Sequence, residues 1–232
     1  MALVKVEQVS KQYQQDSVVV EALDAVDLSV ESGEFMSLVG PSGSGKTTLL
    51  NIIGGLDVPT RGKVWIREQE IGRLPKSQLS RLRLREIGFV FQEYNLIPVL
   101  SAVENVEYVM LLQGVPDKER RERAESILGE VGLEEYVHRR PAQLSGGQQQ
   151  RVAVARAIAS QPAIVLADEP TANLDSRTGA ALLDLMRDLN ERHKTTFIFS
   201  THDPMVMERA RRIVTLRDGK IVDDHTQTGA RK

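Results

Sequence analysis

Apolar residues recur at every second position in two early stretches, residues 3–9 (Val4, Val6) and 19–30 (Val26, Leu28, Val30). That period predicts antiparallel strands, each with one buried face. The pattern then changes to short continuous apolar runs at residues 35–39, 87–91, 163–167 and 196–201, which read as strands buried on both faces. Between the runs the pattern turns helical: residues 48–53 follow the first run, and Leu74, Leu79 and Leu82 mark a segment before the second. Ser101-Ala102-Val103-Glu104 is a capping box that opens a helix to about Gln113. Gly114-Val115-Pro116 breaks it. Asp117 opens another helix with an apolar stripe at Ala124, Ile127, Leu128 and Val131 and a stop at Gly132. Further helices are predicted over residues 149–157 and 180–191. Residues 211–216 and 220–222 flank Asp218-Gly219, a hairpin signal.

This alternation suits one α/β domain, and 232 residues with 41% hydrophobic content can bury a sizeable core. Residues 93–143 differ from the rest and read as a mostly helical insertion. Residues 1–92 and 144–222 form the remaining core, and residues 223–232 read as a polar, frayed tail. The net charge of −2 offers no argument for nucleic acid, and the basic run Lys118, Arg120, Arg121 and Arg123 reads as a solvated helix face. The absence of cysteine excludes disulfides and thiolate chemistry. No apolar stretch approaches the roughly 18 residues of a membrane span, and the N-terminus lacks the apolar core of a signal peptide. The expectation is a cytosolic chain whose membrane role, if any, comes through a partner.

The chemistry concentrates at Gly40-Pro41-Ser42-Gly43-Ser44-Gly45-Lys46-Thr47, followed by Thr48, between a predicted strand and a predicted helix. This spacing is the phosphate-loop pattern: glycines let successive N–H groups turn inward, and the helix dipole adds positive potential beneath them. Lys46 supplies charge for outer phosphates, and the Thr47 hydroxyl can ligate Mg2+. Asp168 and Glu169 end one buried strand, where Asp168 suits a hold on Mg2+ and Glu169 a general base. His202 ends another and can reach a terminal phosphate or the attacking water. Gln92 ends a third; it can touch a metal or water, or simply face solvent. Tyr13 can stack on an adenine or be a half-buried tyrosine at a strand end, and spacing leaves both open. A second glycine pair, in Leu144-Ser145-Gly146-Gly147-Gln148, opens a second helix and makes another anion site.

Taken in order, these motifs resemble the nucleotide-binding subunit of ABC transporters over nearly the whole chain. Asn173-Leu174-Asp175 completes the set. The resemblance implies an α/β fold: a P-loop NTPase core with a mostly parallel sheet, an N-terminal antiparallel β subdomain and an inserted α-helical subdomain. It also implies an ATPase using ATP and Mg2+. Tyr13, residues 40–48, Gln92, Asp168, Asp175 and His202 would face nucleotide, with Thr47, Gln92 and Asp168 at the metal. Lys46, Gln92, Glu169 and His202 would be catalytic. Ser145, Gly146, Gly147 and Gln148 would cap the ATP of a second subunit, in a homodimer that sandwiches two ATPs head to tail.

The residues Asn51-Ile52-Ile53-Gly54-Gly55-Leu56-Asp57 with Pro59-Thr60-Arg61-Gly62, and Phe89-Val90-Phe91-Gln92 through Asn95-Leu96-Ile97-Pro98, resemble the lipoprotein-releasing (LolD-like), macrolide-export (MacB-like) and cell-division (FtsE-like) ATPases. That subgroup works on an integral membrane permease, here expected to dock on residues near 92–113 (the apolar segment 96–100 and the helix after it). The chain would thus sit at the inner face of the cell membrane. An ATP-gated regulatory clamp is the alternative. A soluble relative acting on nucleic acid is disfavoured, because such proteins carry long coiled coils or paired domains.

Overall fold

Successive side chains of a strand point to opposite faces, and that alternation organises the interior of the computed structural model, which describes residues 2–15 and 18–227. Strands β1 (Val4–Gln15) and β2 (Val18–Val30) pair antiparallel, and β3 (Phe35–Val39) leads through the glycine-rich loop into helix α1 (Lys46–Ile53). The short strands β4 (Arg61–Ile66) and β5 (Gln69–Glu70) precede α2 (Lys76–Glu86) and β6 (Ile87–Val90). Helices α3 (Ala102–Leu112) and α4 (Asp117–Glu130) form the insertion. Then α5 (Gly146–Ala159), β7 (Ile164–Asp168), α6 (Ser176–His193) and β8 (Thr196–Thr201) rebuild the core. Helix α7 (Pro204–Arg209) and the hairpin β9 (Arg212–Arg217) and β10 (Lys220–Thr226) complete it.

The six-stranded sheet has the order β10-β9-β3-β8-β7-β6, parallel from β9 to β6, with β10 antiparallel at the edge. Phe35, Val165, Ala167, Phe197 and Phe199 point to one face, where they meet Val152 of α5, Met186 of α6, Val106 of α3 and Leu128 of α4. Met36, Leu38, Ile164, Leu166 and Ile198 point to the other, against Leu49 and Ile52 of α1 and the inner face of the antiparallel sheet β2-β1-β4-β5. Burial on both faces is why β3, β7 and β8 read as continuous apolar runs. Phe35 and Phe199 lock the first layer with ring centres 4.7 Å apart.

The predicted helices and strands are present, and the capping box at Ser101 has both of its arms: Glu104 accepts from the Ser101 N–H at 2.7 Å, and the Ser101 hydroxyl accepts from the Glu104 N–H at 3.4 Å. Element ends differ: helix α6 starts at Ser176 rather than at residue 180, and two strands run further than expected. Strand β1 runs on to Gln15, so Tyr13 lies within it rather than between two strands. Register shifts between Val6 and Val9 and between Val9 and Lys11 break the period of two, and Gln8 takes a left-handed φ of 47°. Strand β10 reaches Thr226, four residues into the expected polar tail; residues 228–232 of that tail lie outside the described residues. The extension is an exposed edge, which explains its polar composition, and it is held by a bidentate pair. Arg212 donates from Nε to Asp224 Oδ1 at 2.8 Å and from Nη2 to Oδ2 at 2.7 Å.

Hydrogen bonding from Arg212 holds Asp224 below the ordinary carboxylate range, against the opposing push of its partial burial. An acid depressed in the folded state adds stability above its unfolded value, about pH 4, and loses it as the pH falls through the lower folded value. Asp224→Asn is therefore expected to lower the melting temperature at neutral pH. The difference from the parent chain should close as the pH is brought to about 2.

Candidate functional site

Four parallel strands end at the same edge of the sheet, and their carboxyl ends are where an open α/β sheet gathers a ligand. From β3 comes the glycine-rich loop, from β6 Gln92, from β7 Asp168 and Glu169, and from β8 His202. A cleft of about 630 Å³ there is lined by residues 41–48, Gln92, Glu169, His202 and the β2 residues Val20, Glu21 and Ala22.

The loop is drawn around its lysine. Lys46 is 7% exposed, and its Nζ donates to the carbonyls of Gly40 at 2.8 Å and Pro41 at 2.9 Å. Gly40 sits at φ 148°, and a Cβ there would run into the Leu216 carbonyl of β9, so only glycine lets the loop pass. Gly45 precedes helix α1 and gives it no side-chain cap, so its first N–H groups are free to meet an anion in the cleft. The Ser44 hydroxyl beside them is buried without a protein partner. An unpaired buried donor next to an uncapped helix start fits a phosphate oxygen.

Thr47 Oγ1 donates to Asp168 Oδ1 at 3.1 Å, which brings two hard oxygen ligands together at the mouth of the loop. Gln92 adds a third oxygen from across the cleft. No group of three or more acidic or histidine side chains capable of holding a metal occurs among the described residues. That donor set fits Mg2+ shared with phosphate oxygens, since Mg2+ keeps few protein ligands, and it does not fit a dedicated metal cage.

Glu169 has a left-handed φ of 45°, a strained conformation for a non-glycine residue. It is fixed by three contacts. Its N–H donates to the Ser200 carbonyl at 2.9 Å, Oε2 accepts from the Thr201 hydroxyl at 2.8 Å, and Oε1 accepts from His202 Nδ1 at 2.7 Å. The Thr201 hydroxyl in turn accepts from the Asp203 N–H at 2.9 Å. The carboxylate is thus aimed from a rigid strand end beside the loop, as a general base requires.

The Gln92 turn is also held from outside. Tyr94 and Asn95 both take left-handed φ values, 42° and 48°. Arg156 of α5 donates to the carbonyls of Tyr94 at 2.9 Å and Asn95 at 2.6 Å. Gln150 of α5 donates to Phe91 and Pro170 carbonyls, and Asn173 donates to the Gln92 carbonyl at 2.9 Å. Sequence reading missed Arg156 and Gln150; for Arg156 the available signal was a charged side chain amid the alanines and valines of α5, whereas Gln150 is one of four consecutive long polar residues and carries no such signal. Arg156→Ala is expected to lower stability by about 2 kcal/mol in urea denaturation, because two carbonyls lose a charged donor. Turnover should fall with it as the Gln92 turn loosens.

Of the candidate residues, Ser145 to Gln148 and Asp175 do not join this cleft within one chain. The Ser145 hydroxyl accepts from the Gln148 N–H at 3.3 Å, and Gln148 accepts from the Ser145 N–H at 2.8 Å, capping α5. Gly146 lies against Tyr94 and Gly147 against Thr178. Asp175 caps α6 through the N–H groups of Arg177 and Thr178, and the Thr178 hydroxyl holds it below the ordinary carboxylate range. Tyr13 stands at the rim, paired across the hairpin with Val20 of the cleft lining.

Comparison with known proteins follows the same outline. The family model described as ABC transporter matches residues 23–172. The chain is 48% identical over 225 residues to the lipoprotein-releasing system ATP-binding protein LolD of Anaeromyxobacter dehalogenans, covering 96% of this chain and 94% of LolD. It is 47% identical over 222 residues to the macrolide export ATP-binding/permease protein MacB of Hyphomonas neptunium, covering 96% of this chain but 34% of MacB. Among solved structures, it is similar to a dimeric ATP-binding cassette of Methanocaldococcus jannaschii in a post-hydrolysis state bound to ADP and phosphate. That match has a TM-score of 0.90 at 45% identity, covering 97% of this chain and 99% of the other.

Proposed function

The chain belongs to the ABC transporter family, and we propose that two copies of it clasp two ATP molecules head to tail and so drive a separately encoded membrane protein. ATP binding and hydrolysis are the part it shares with its relatives: it is an ATPase. One observation carries the pairing. The start of α5, with its helix dipole and an exposed Ser145 whose hydroxyl caps it, stands apart from the phosphate cleft of its own chain, where it is open to the nucleotide of a second copy. The dimeric state of the Methanocaldococcus relative supports this reading.

In this reading Lys46, Ser44 and the loop amides hold the phosphates, and Tyr13 stacks on the base. Thr47 and Gln92, backed by Asp168, would hold Mg2+, and a Mg2+ held there would supply positive charge for the developing charge on the phosphoryl group. Glu169 accepts the proton of the attacking water, with Thr201 keeping its carboxylate in place. His202, exposed and hydrogen-bonded to Glu169, faces the terminal phosphate. Ser145 to Gln148 of the second copy close the site, and Asp175 reaches it from that side.

The membrane protein is placed on the surface made by residues 92–113. Val99 is 71% exposed there, and Tyr108, Leu111 and Leu112 are also exposed. Leu100 and Leu111 line a groove of about 530 Å³ between α3 and α4. Leu96, which the sequence groups with this patch, packs partly inward against the core. No described helix is long and apolar enough to cross a membrane. In this reading the partner holds the chain at the inner face of the cell membrane. The LolD-like and MacB-like type of partner is the one the similarity favours.

Mixing two inactive variants tests the pairing. Lys46→Ala breaks the phosphate loop and Ser145→Glu breaks the closing surface. In a head-to-tail mixed pair both lesions fall on one site, leaving the other intact. Partial recovery of phosphate release on mixing is the expected result. A Ser145→Glu variant that hydrolysed ATP at the parent rate would show that each chain works alone, and no recovery, with mixed pairs demonstrated by crosslinking, would overturn the shared site.

A further inference from the structure

Tyr13 is held by contacts that a tyrosine at a strand end does not need. Its hydroxyl donates to Asp57 Oδ2 at 2.7 Å and also meets the hydroxyl of Thr48, next to Thr47 in α1. Asp57 Oδ1 accepts from Lys11 Nζ at 2.6 Å, and the same ammonium donates to the Val58 carbonyl at 2.9 Å. It stands 4.8 Å from the centre of the Tyr13 ring. Lys11 and Tyr13 are two residues apart on β1 and share a face. Asp57 comes from the turn after α1, where its N–H and that of Leu56 both donate to the Asn51 carbonyl. The ring is therefore tethered at its hydroxyl to both ends of the phosphate-loop helix, and a cation covers one of its faces.

Lys11 is only 9% exposed. A largely buried ion pair contributes little net stability compared with apolar residues in the same space, so stability is a weak reason for it to be there; fixing a geometry is a better one. A ring immobilised before the base arrives also loses less rotamer freedom when the base stacks on it.

We propose that Asp57, acting with Lys11, is a positioning residue for the nucleobase: the pair holds the Tyr13 ring so that the face away from the ammonium meets the base while the phosphates lie in the loop. The inference rests on the reading of Tyr13 as the base platform. It makes the base-dependent part of nucleotide affinity depend on Asp57 and leaves the phosphate-dependent part alone.

Calorimetric binding of ADP and of pyrophosphate, each with Mg2+, separates the two parts. Tyr13→Ala is expected to weaken ADP about tenfold, and Asp57→Ala about fourfold. Pyrophosphate affinity should stay as in the parent chain for both. In a Tyr13→Ala background, Asp57→Ala should cost nothing further, since it acts through the ring. If Tyr13→Ala leaves ADP affinity unchanged, the platform reading fails and the positioning role fails with it. If Tyr13→Ala weakens ADP but Asp57→Ala does not, the platform stands and the positioning role is overturned. That role is equally overturned if Asp57→Ala weakens pyrophosphate by the same factor as ADP, or if its cost persists without the ring. Should Asp57→Ala not fold, Tyr13→Phe asks the same question by keeping the ring and removing its tether. ADP affinity equal to the parent's in that variant overturns the proposal, and a loss of about threefold supports it.

Discussion

Glu169→Gln is expected to lower ATP turnover by about a thousandfold while an ATP-bound pair of chains accumulates. The substitution keeps the shape of the side chain: the amide oxygen still accepts from the Thr201 hydroxyl, 2.8 Å away in the parent. What it removes is the ability to take a proton from water. Nucleotide binding does not need that proton transfer, so the closed state forms and then fails to discharge its phosphate. Phosphate release and light scattering with saturating ATP and Mg2+ read the two effects separately. Turnover near the parent rate would remove Glu169 from the role of base. A variant that stayed a single chain under those conditions, alone and beside the proposed membrane partner, would remove the head-to-tail pairing.

Lys46→Ala should act one step earlier. Its buried ammonium lies inside the glycine-rich loop, and charge-assisted contacts from such a group to a phosphate are the strong ones. Loss of about a hundredfold in ADP and ATP affinity is expected, together with loss of the thermal stabilisation that saturating nucleotide confers. Because Nζ also ties the Gly40 and Pro41 carbonyls together, the loop itself loosens without it. Arginine should not restore function at this position, since its planar fork cannot occupy the point-charge site inside the loop. Unchanged nucleotide affinity in Lys46→Ala would mean that the cleft holds phosphates by backbone alone.

Glu169 follows strand β7 directly and Lys46 opens the helix after the β3 loop, and these local settings explain why both could be singled out from the sequence. A phosphate loop needs glycines at fixed intervals, a lysine and a hydroxyl between a strand and a helix, so chemistry and local geometry impose the same short string. Asp168, Glu169 and His202 each follow an apolar run, and a run buried on both faces can end in a charge only where the sheet meets solvent. The capping box at Ser101 was likewise local, complete within four residues. Helix α7 carries a comparable signal, Asp203 as cap and Pro204 as first residue, but six residues are too few to show a period.

What the chain alone could settle was therefore whatever is decided within one turn or one strand: the loop, the caps, the buried runs and the order of the motifs. Only the tertiary structure decided how far β1 and β10 run, because bulges and ion pairs with distant residues replace the apolar period there. It also decided that Arg156 and Gln150 grip the Gln92 turn across some 60 residues of chain, and that Asp57 holds Tyr13 across 44. Such contacts leave no periodic trace, since they depend on where two separate elements pack. It was the folded chain, too, that set Ser145 and Asp175 apart from the cleft of their own chain. Order along a chain records which groups are present, whereas the distance between them is fixed only when strands and helices bury their apolar faces against one another.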